Sequence, residues 1–316
     1  MLRFAVMGAG RISRDLCGGA ALVEGAEVVA ASAQDIARAE AFAKDMNIPK
    51  AYGSYEEMLS DSTVDAVYIG NTTNMHYDSI KMCLEAGKHV LGEKAMVETE
   101  ARAAECFALA KSKGLFLMEA MWARFLPKTV KVREWINSGR IGRVVAVQAN
   151  IGNNVEKDMK NRFYDPALGG GVMYDLGVYA IDLVTYFTGL DITGWSADVI
   201  RAETGIDETV SLNLDLGGVP AHSLITFAAA VPEDCYIYGE KGCIRVPRMH
   251  WGSDALLLDP GMNEIERFSQ PERYGMRFEI EEVVSCINAG RLTSSIASPE
   301  MTLTSSRIYD SILGTK

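Results

Sequence analysis

The chain has 316 residues, 48% of them hydrophobic and 23% charged, a composition within the ordinary globular range and a length too great for one typical domain. Its 31 basic and 42 acidic residues give a formal net charge of −11, which opposes attraction to phosphate backbones or anionic lipid and sets aside nucleic acid and membranes as partners. Cys17, Cys83, Cys106, Cys235, Cys243 and Cys286 are scattered, with no Cys-x-x-Cys pair and no close histidine, so no metal site is expected and reduced thiols in a cytoplasmic protein are the simplest reading.

The first apolar run, Phe4–Met7, is broken at once by Gly8, Gly10, Arg11, Arg14 and Asp15, unlike a signal peptide. No apolar stretch is expected to approach the roughly 18 residues of a membrane helix. Strands are predicted at Leu2–Met7, Glu27–Ala31, Ala66–Gly70, His89–Leu91 and Leu115–Met118, with helical spacing at Ile36–Met46, Met75–Ala86 and Thr99–Lys113. That alternation predicts an α/β domain over residues 1–119, a doubly wound parallel sheet.

The first strand runs into Gly8-Ala9-Gly10-Arg11-Ile12-Ser13. The first glycine permits a tight turn, and the second lets a pyrophosphate approach the backbone at a helix N-terminus, where Arg11 and Ile12 open the helix. Taken alone, such a match also fits an ordinary strand–helix turn. The second strand ends in Ala31-Ser32-Ala33-Gln34-Asp35, with no acid at its last position; Ser32, Gln34 and Arg38 are candidate donors to a 2′-phosphate, which favours NADP over NAD. Further cofactor contacts are expected from Asn71, Thr72, Thr73, Asn74 and His76, and from Glu93 and Lys94, all at the carboxyl ends of strands. His76 is expected to cap or pack there without moving protons. Gly18-Gly19 falls inside the first crossover helix, where each glycine costs about 1 kcal/mol relative to alanine, and the local sequence gives no reason for the pair.

Beyond residue 119 the texture changes. A helix over Thr129–Ser138 leads to strands at Val144–Ile151, Val210–Leu216, His222–Ala228, Cys235–Tyr238 and Gly242–Val246, then to helices at Met276–Asn288 and Pro299–Ile312. Residues 120–316 therefore read as an α+β domain with a large, mostly antiparallel open sheet, whose outer face is expected to support a homodimer. The Met- and aromatic-rich stretch Met118–Leu126 reads as packing, with Arg124 the one residue assigned to substrate. Gly169-Gly170-Gly171 on its own is a surface loop, and Lys94 on its own one of many solvated lysines. Tyr77 and Lys81 match a Tyr-x-x-x-Lys spacing, but on a helix face expected at the surface.

As a set, Gly8-x-Gly10, Thr72-Thr73-Asn74-Met75-His76, Ala86-Gly87-Lys88-His89-Val90-Leu91-Gly92-Glu93-Lys94 and Gly169-Gly170-Gly171-x-x-x-Asp175-x-Gly177-x-Tyr179 resemble the Gfo/Idh/MocA oxidoreductases. Glu119–Pro127 together with Tyr179 is similar to the branch of dimeric dihydrodiol and D-xylose dehydrogenases. The resemblance implies a Rossmann domain, Lys94, Asp175 and Tyr179 as the catalytic group, and Arg124, Phe125 and Arg162 with Tyr179 at a sugar or diol substrate. Where the family carries proline after Glu-Lys, this chain has Ala95, which predicts a less rigid loop. Removing the proton of an alcohol during hydride transfer requires a positioned base. Tyr179 meets that need if a lysine ammonium lies within about 4–6 Å to favour the phenolate, and Asp175 shares its helix face at a spacing of four. The alternative reading is a cofactor-binding sensor without turnover.

Overall fold

The computed structural model describes residues 1–158, 161–270 and 275–314. Packing divides the chain into two compact units, Met1–Trp122 with Tyr274–Ser306, and Ala123–Arg273 with Arg307–Lys316. The second unit is therefore not the whole of residues 120–316: residues 275–306 pack as part of the first, because an apolar helix face carries no mark of which core it will join.

The first unit holds β1 (Leu2–Met7), α1 (Arg11–Ala20), β2 (Ala26–Ser32), α2 (Ile36–Met46), β3 (Lys50–Tyr52), α3 (Tyr55–Ser60), β4 (Ala66–Ile69), α4 (Thr73–Glu85), β5 (His89–Glu93), α5 (Glu100–Lys113) and β6 (Leu117–Ala120). The six strands are parallel, in the order β3-β2-β1-β4-β5-β6, a doubly wound sheet. Its central strands are apolar on both faces because helices cover both, as β4 shows with all four residues buried. The caps are local: the Asp35 carboxylate accepts the Ala37 N–H and Asn47 closes α2 in the left-handed region, while the Thr99 hydroxyl accepts the Arg102 N–H and Gly114 closes α5. Met7, Met58, Ile69, Ile80, Val90 and Leu117 lie in one core cluster, each such side chain contributing about 1.5–3 kcal/mol by burial.

Far along the sequence, Met276–Asn288 forms a helix that packs on α1. A Cβ on Gly19 would lie 3.0 Å from the Arg277 nitrogen and 3.2 Å from the Met276 Cβ. Close helix crossing, absent from any local pattern, is what Gly19 serves.

In the second unit, α6 (Pro127–Asn137), β7 (Val144–Ala149), β8 (Ile151–Gly152), α7 (Val178–Thr188), β9 (Gly194–Arg201), β10 (Asp207–Asp215), β11 (Pro220–Thr226), β12 (Cys235–Gly239), β13 (Gly242–Val246), β14 (Asp254–Leu258) and β15 (Glu264–Ser269) build a nine-stranded sheet. Its order is β15-β14-β13-β12-β7-β11-β10-β9, with β8 beside β11. Neighbours are antiparallel except where β7 and β8 run parallel to β11. Alternation sorts the faces, as in β12, where Cys235 and Ile237 are fully buried while Tyr236 and Tyr238 stack at 5.9 Å on the opposite side. The segment Pro166–Thr188 corrects one expectation: it is long and apolar enough by composition to cross a membrane, yet 72% of that window is buried, as for the central helix of a globular unit.

Candidate active site

In the first unit, β1 ends at Gly8 with φ +107°, and a Cβ there would lie 2.8 Å from the backbones of Gly70 and Asn71. Only glycine allows the loops after β1 and β4 to pass this closely. The Ser13 hydroxyl donates to the Gly8 carbonyl at 2.6 Å, so the third small position of the motif pins the turn. Gly10 caps α1 without a side chain, and a Cβ on it would meet nothing nearer than the Gly70 oxygen at 3.7 Å. The first-turn N–H groups of Arg11 and Ile12 are thus left to an anion at the helix N-terminus. This cradle lies between β1 and β4, the pair from which the strand order runs outward in both directions, where open α/β sheets bind ligands. Its close-passing backbones and uncapped helix fit a dinucleotide.

An open cavity of about 580 Å³ follows β2, lined by Gln34, Asp35, Ile36, Gly53, Ser54 and Glu57. Ser32 does not act as a donor there: its hydroxyl is buried and donates to the Ser54 carbonyl at 3.0 Å. Gln34 lines the cavity and Arg38 is exposed on α2, with the carboxylates of Asp35 and Glu57 on the same lining.

The Lys94 loop is held at successive residues, contrary to the looseness expected from Ala95. The Tyr68 hydroxyl donates to Glu93 Oε1 at 2.6 Å, and the Lys94 N–H to Glu93 Oε2 at 3.2 Å. His76 lies with Nδ1 2.9 Å from the Ala95 carbonyl and Nε2 3.3 Å from that of Asn71. The Met96 N–H donates to Glu119 Oε1 at 2.8 Å, and the Ser306 hydroxyl to the Val97 carbonyl at 3.3 Å. The Lys94–Ala95 peptide is cis. Burial pushes the His76 imidazole pKa down, against the pull of the two carbonyls; the neutral ring carries one N–H and donates to one carbonyl at a time, so only the protonated ring bonds both loops at once. Glu93, expected at the cofactor, is itself buried and supports Lys94. Thr72 caps α4, the Asn71 amide donates to Ser79 Oγ at 2.8 Å, Thr73 is buried, and Asn74 is exposed.

Beside Glu93 sits Glu279, on the helix that packs on α1. It is fully buried, and among the described residues neither carboxylate oxygen has a hydrogen-bond partner. Burial, and secondarily the charge of Glu93, raise its pKa well above the usual value, because the ionised form is disfavoured away from water and beside a like charge.

In the second unit the glycine run is a fitted corner. A Cβ on Gly170 would lie 2.7 Å from the Phe163 oxygen, and one on Gly171, at φ +128°, would lie 2.2 Å from Asp207 Oδ1. The space at Gly171 admits the Asp207 carboxylate, which accepts the Met173 N–H at 2.7 Å and so caps the helical segment. Burial raises the Asp207 pKa to about 6 against the opposing backbone N–H bonds. Met173–Gly177 forms a π-helical turn before α7, so Asp175 lies on a widened turn and not on the continuous α-helical face expected from its spacing to Tyr179. Such single π turns recur at functional sites. Asp175 stands 3.8 Å from the Arg162 guanidinium, which lies 4.1 Å over the Phe163 ring. Tyr179, in the first turn of α7, is buried and stacks on His250 at 4.5 Å.

Arg124, assigned to substrate by its sequence setting, is buried. Its guanidinium pairs with Asp182 of α7, Nε to Oδ1 at 2.8 Å and Nη2 to Oδ1 at 2.6 Å, and lies 4.5 Å over the Tyr186 ring. That engagement makes it an anchor of α7. Phe125 is also buried. The Tyr77 and Lys81 pair binds Glu105 across neighbouring helices, a surface network as expected. Sequence reasoning missed Asp207, Glu279 and His250; only the tight fit at Gly171 left a trace, in the glycine itself.

Residues 2–121 match an oxidoreductase family with an NAD-binding Rossmann fold, and residues 129–245 match the GFO/IDH/MocA C-terminal domain. A trans-1,2-dihydrobenzene-1,2-diol dehydrogenase of Sus scrofa is 35% identical over 323 residues, covering 99% of this chain and 95% of the relative. Among solved structures, a 3-ketoreductase from Actinomadura kijaniata, in complex with NADP and TDP-benzene, superposes with a TM-score of 0.88 at 23% identity, covering 98% of this chain and 96% of that one. A levoglucosan dehydrogenase in complex with NADH and levoglucosan does so with a TM-score of 0.88 at 16% identity, covering 99% and 96%.

Proposed function

The chain belongs to the Gfo/Idh/MocA family of NAD(P)-binding oxidoreductases, and we propose that it transfers hydride between nicotinamide and a hydroxyl carbon of a vicinal diol or sugar. The observation that carries the reading is the glycine cradle: Gly8 lies where a side chain would strike Gly70 and Asn71, ahead of a helix whose N-terminus has no side-chain cap. Gly8, Gly10, Arg11 and Ile12 would hold the pyrophosphate, with the Asn71–Asn74 loop, His76 and the Glu93–Lys94 loop beside the rest of the cofactor. The bound nicotinamide supplies or accepts the hydride. Tyr179 takes the proton of the substrate hydroxyl in oxidation and returns it in reduction. Lys94 orients the reacting oxygen with its ammonium, and Asp175 binds a neighbouring hydroxyl.

Either cofactor is used, with a preference of less than about tenfold, equivalent to 1.4 kcal/mol. Arg38 and Gln34 favour the 2′-phosphate; Asp35 and Glu57 oppose it. A homodimer through the outer face of the nine-stranded sheet is supported by the partly exposed, stacked rings of Tyr236 and Tyr238, which lie over a small apolar cluster there. Six buried free cysteines support action in the cytoplasm.

The test is a screen of NAD and NADP against cyclic diols, aldoses and inositols, read by absorbance of the reduced nicotinamide. Turnover of a diol or sugar is expected; cofactor binding with no turnover across the panel would replace this reading with a sensor.

A further inference from the structure

We propose that His250 is a positioning residue for the reaction, holding the Tyr179 phenol in its working orientation by ring stacking. The inference rests on the reading of Tyr179 as the acid/base. The two ring centroids are 4.5 Å apart with an interplanar angle of 27°, the geometry of an offset stack. A tyrosine hydroxyl stands at the far end of two side-chain torsions, so a second ring against its face restricts where the oxygen lies.

The turn that carries His250 is tied down far more heavily than a hairpin connection requires. It joins β13 to β14, and at its start Arg248 is held at φ +47°, a left-handed conformation rare for a residue with a side chain. The Arg248 carbonyl accepts the Trp251 N–H at 3.0 Å, the Gly252 N–H at 2.6 Å and the Lys128 ammonium at 3.0 Å. Lys128 comes from α6 and is completely buried, an unfavourable place for an amine unless it secures something. The Arg248 N–H reaches Asp234 Oδ1 at 3.3 Å, and the Met249 N–H the Glu233 carbonyl at 2.7 Å. Trp251 donates its indole N–H to Glu233 Oε2 at 2.5 Å and lies under the Arg248 guanidinium at 4.7 Å. Gly252 completes the fit, since a Cβ there would lie 2.5 Å from the Pro247 oxygen.

A strained backbone persists where its surroundings over-determine it, and such places cluster at functional sites. Here the outcome of the strain is one ring laid against Tyr179. The helix bearing Tyr179 is also held by the Arg124–Asp182 pair, so backbone and ring are held by separate devices.

The experiment compares His250→Ala, His250→Phe and Tyr179→Phe in the full chain, measuring kcat, KM, cofactor Kd and Tm. With Tyr179→Phe nearly inactive, His250→Ala is expected to lower kcat about 10- to 100-fold, the penalty of misplacing a reacting group by about an ångström, with cofactor Kd and substrate KM within about threefold. His250→Phe, which keeps a stacking ring, restores kcat to within about threefold of wild type. Should His250→Ala fail to fold, His250→Asn takes its place. Wild-type kcat in the ringless variant overturns the inference, as does a phenylalanine variant no better than alanine. Wild-type turnover in Tyr179→Phe instead overturns the reading of Tyr179 beneath it.

Discussion

The ring of Tyr179, in the first turn of a helix, lies against the ring of His250, on a hairpin turn between two strands, at 4.5 Å and 27°. Neither residue has a local sequence partner that would announce the contact. The relationship places the proposed acid/base under the control of a strained, hydrogen-bonded turn, and the surrounding side chains make separate, measurable commitments.

Gly8 bears the cofactor claim. Gly8→Ala forces a side chain to φ +107° and into the Gly70 and Asn71 backbones, at a cost of about 1–3 kcal/mol in strain alone. NAD(P)H affinity by fluorescence titration should fall about 10- to 100-fold, with the far-UV circular dichroism unchanged. Unaltered affinity would remove the cradle from the binding site.

Cofactor choice turns on the cavity after β2. Gln34→Arg puts a guanidinium where the lining now holds an amide beside Asp35 and Glu57, and a charge-assisted bond to a 2′-phosphate is the stronger kind. The ratio of kcat/KM for NADP over NAD should rise at least about tenfold, or 1.4 kcal/mol. A ratio that stays level would mean the 2′-position lies elsewhere.

Glu279 predicts a pH dependence with a definite sign. Its folded pKa is raised above the ordinary 4.5 by burial and by Glu93, so the folded state holds the proton more tightly than the unfolded chain. Its contribution to stability is fully present below about 4.5 and is lost as pH rises toward the raised folded value. Glu279→Gln cannot titrate, so its stability advantage over wild type should grow by about 1.4 kcal/mol per pH unit through that window. Parallel urea-unfolding curves for the two proteins from pH 5 to 7, an interval of about two units, would show that Glu279 ionises freely.

Arg124 separates a structural role from a substrate contact. Removing it alone leaves Asp182 buried and unpaired, at a cost of about 3–5 kcal/mol. The apolar pair Arg124→Met with Asp182→Leu should regain most of that stability, and its substrate KM should stay within about threefold of wild type. A restored Tm with KM raised more than about tenfold, or 1.4 kcal/mol, would return Arg124 to the substrate.

Much of the first unit was legible because its signals are local. Helical spacing of the apolar residues places α2 at Ile36–Met46 as expected, and Met276–Asn288 likewise. The three-residue β3 was not legible, being too short to show a period. Neither was the π turn at Met173–Gly177, where a widened helix leaves no pattern distinct from an α-helical one. Gly19 looked unfavourable until the helix from Met276 was found against it. Arg124 was given to the substrate because its partner, Asp182, lies in another element. In the candidate site the backbone devices were visible as glycines, while Asp207, Glu279 and His250 act through tertiary contacts.

The central claim is that hydride transfer by this chain draws on Lys94 and Tyr179 together with a cofactor held by the glycine cradle. The most direct measurement is single-turnover kinetics with saturating NAD(P) and a diol or sugar substrate for wild type, Lys94→Ala and Tyr179→Phe, alongside cofactor Kd. Each variant should lose about 10²- to 10⁴-fold in the transfer step, the usual contribution of a positioned acid/base, with Kd changed by less than about threefold. Transfer at the wild-type rate in either variant would contradict the account.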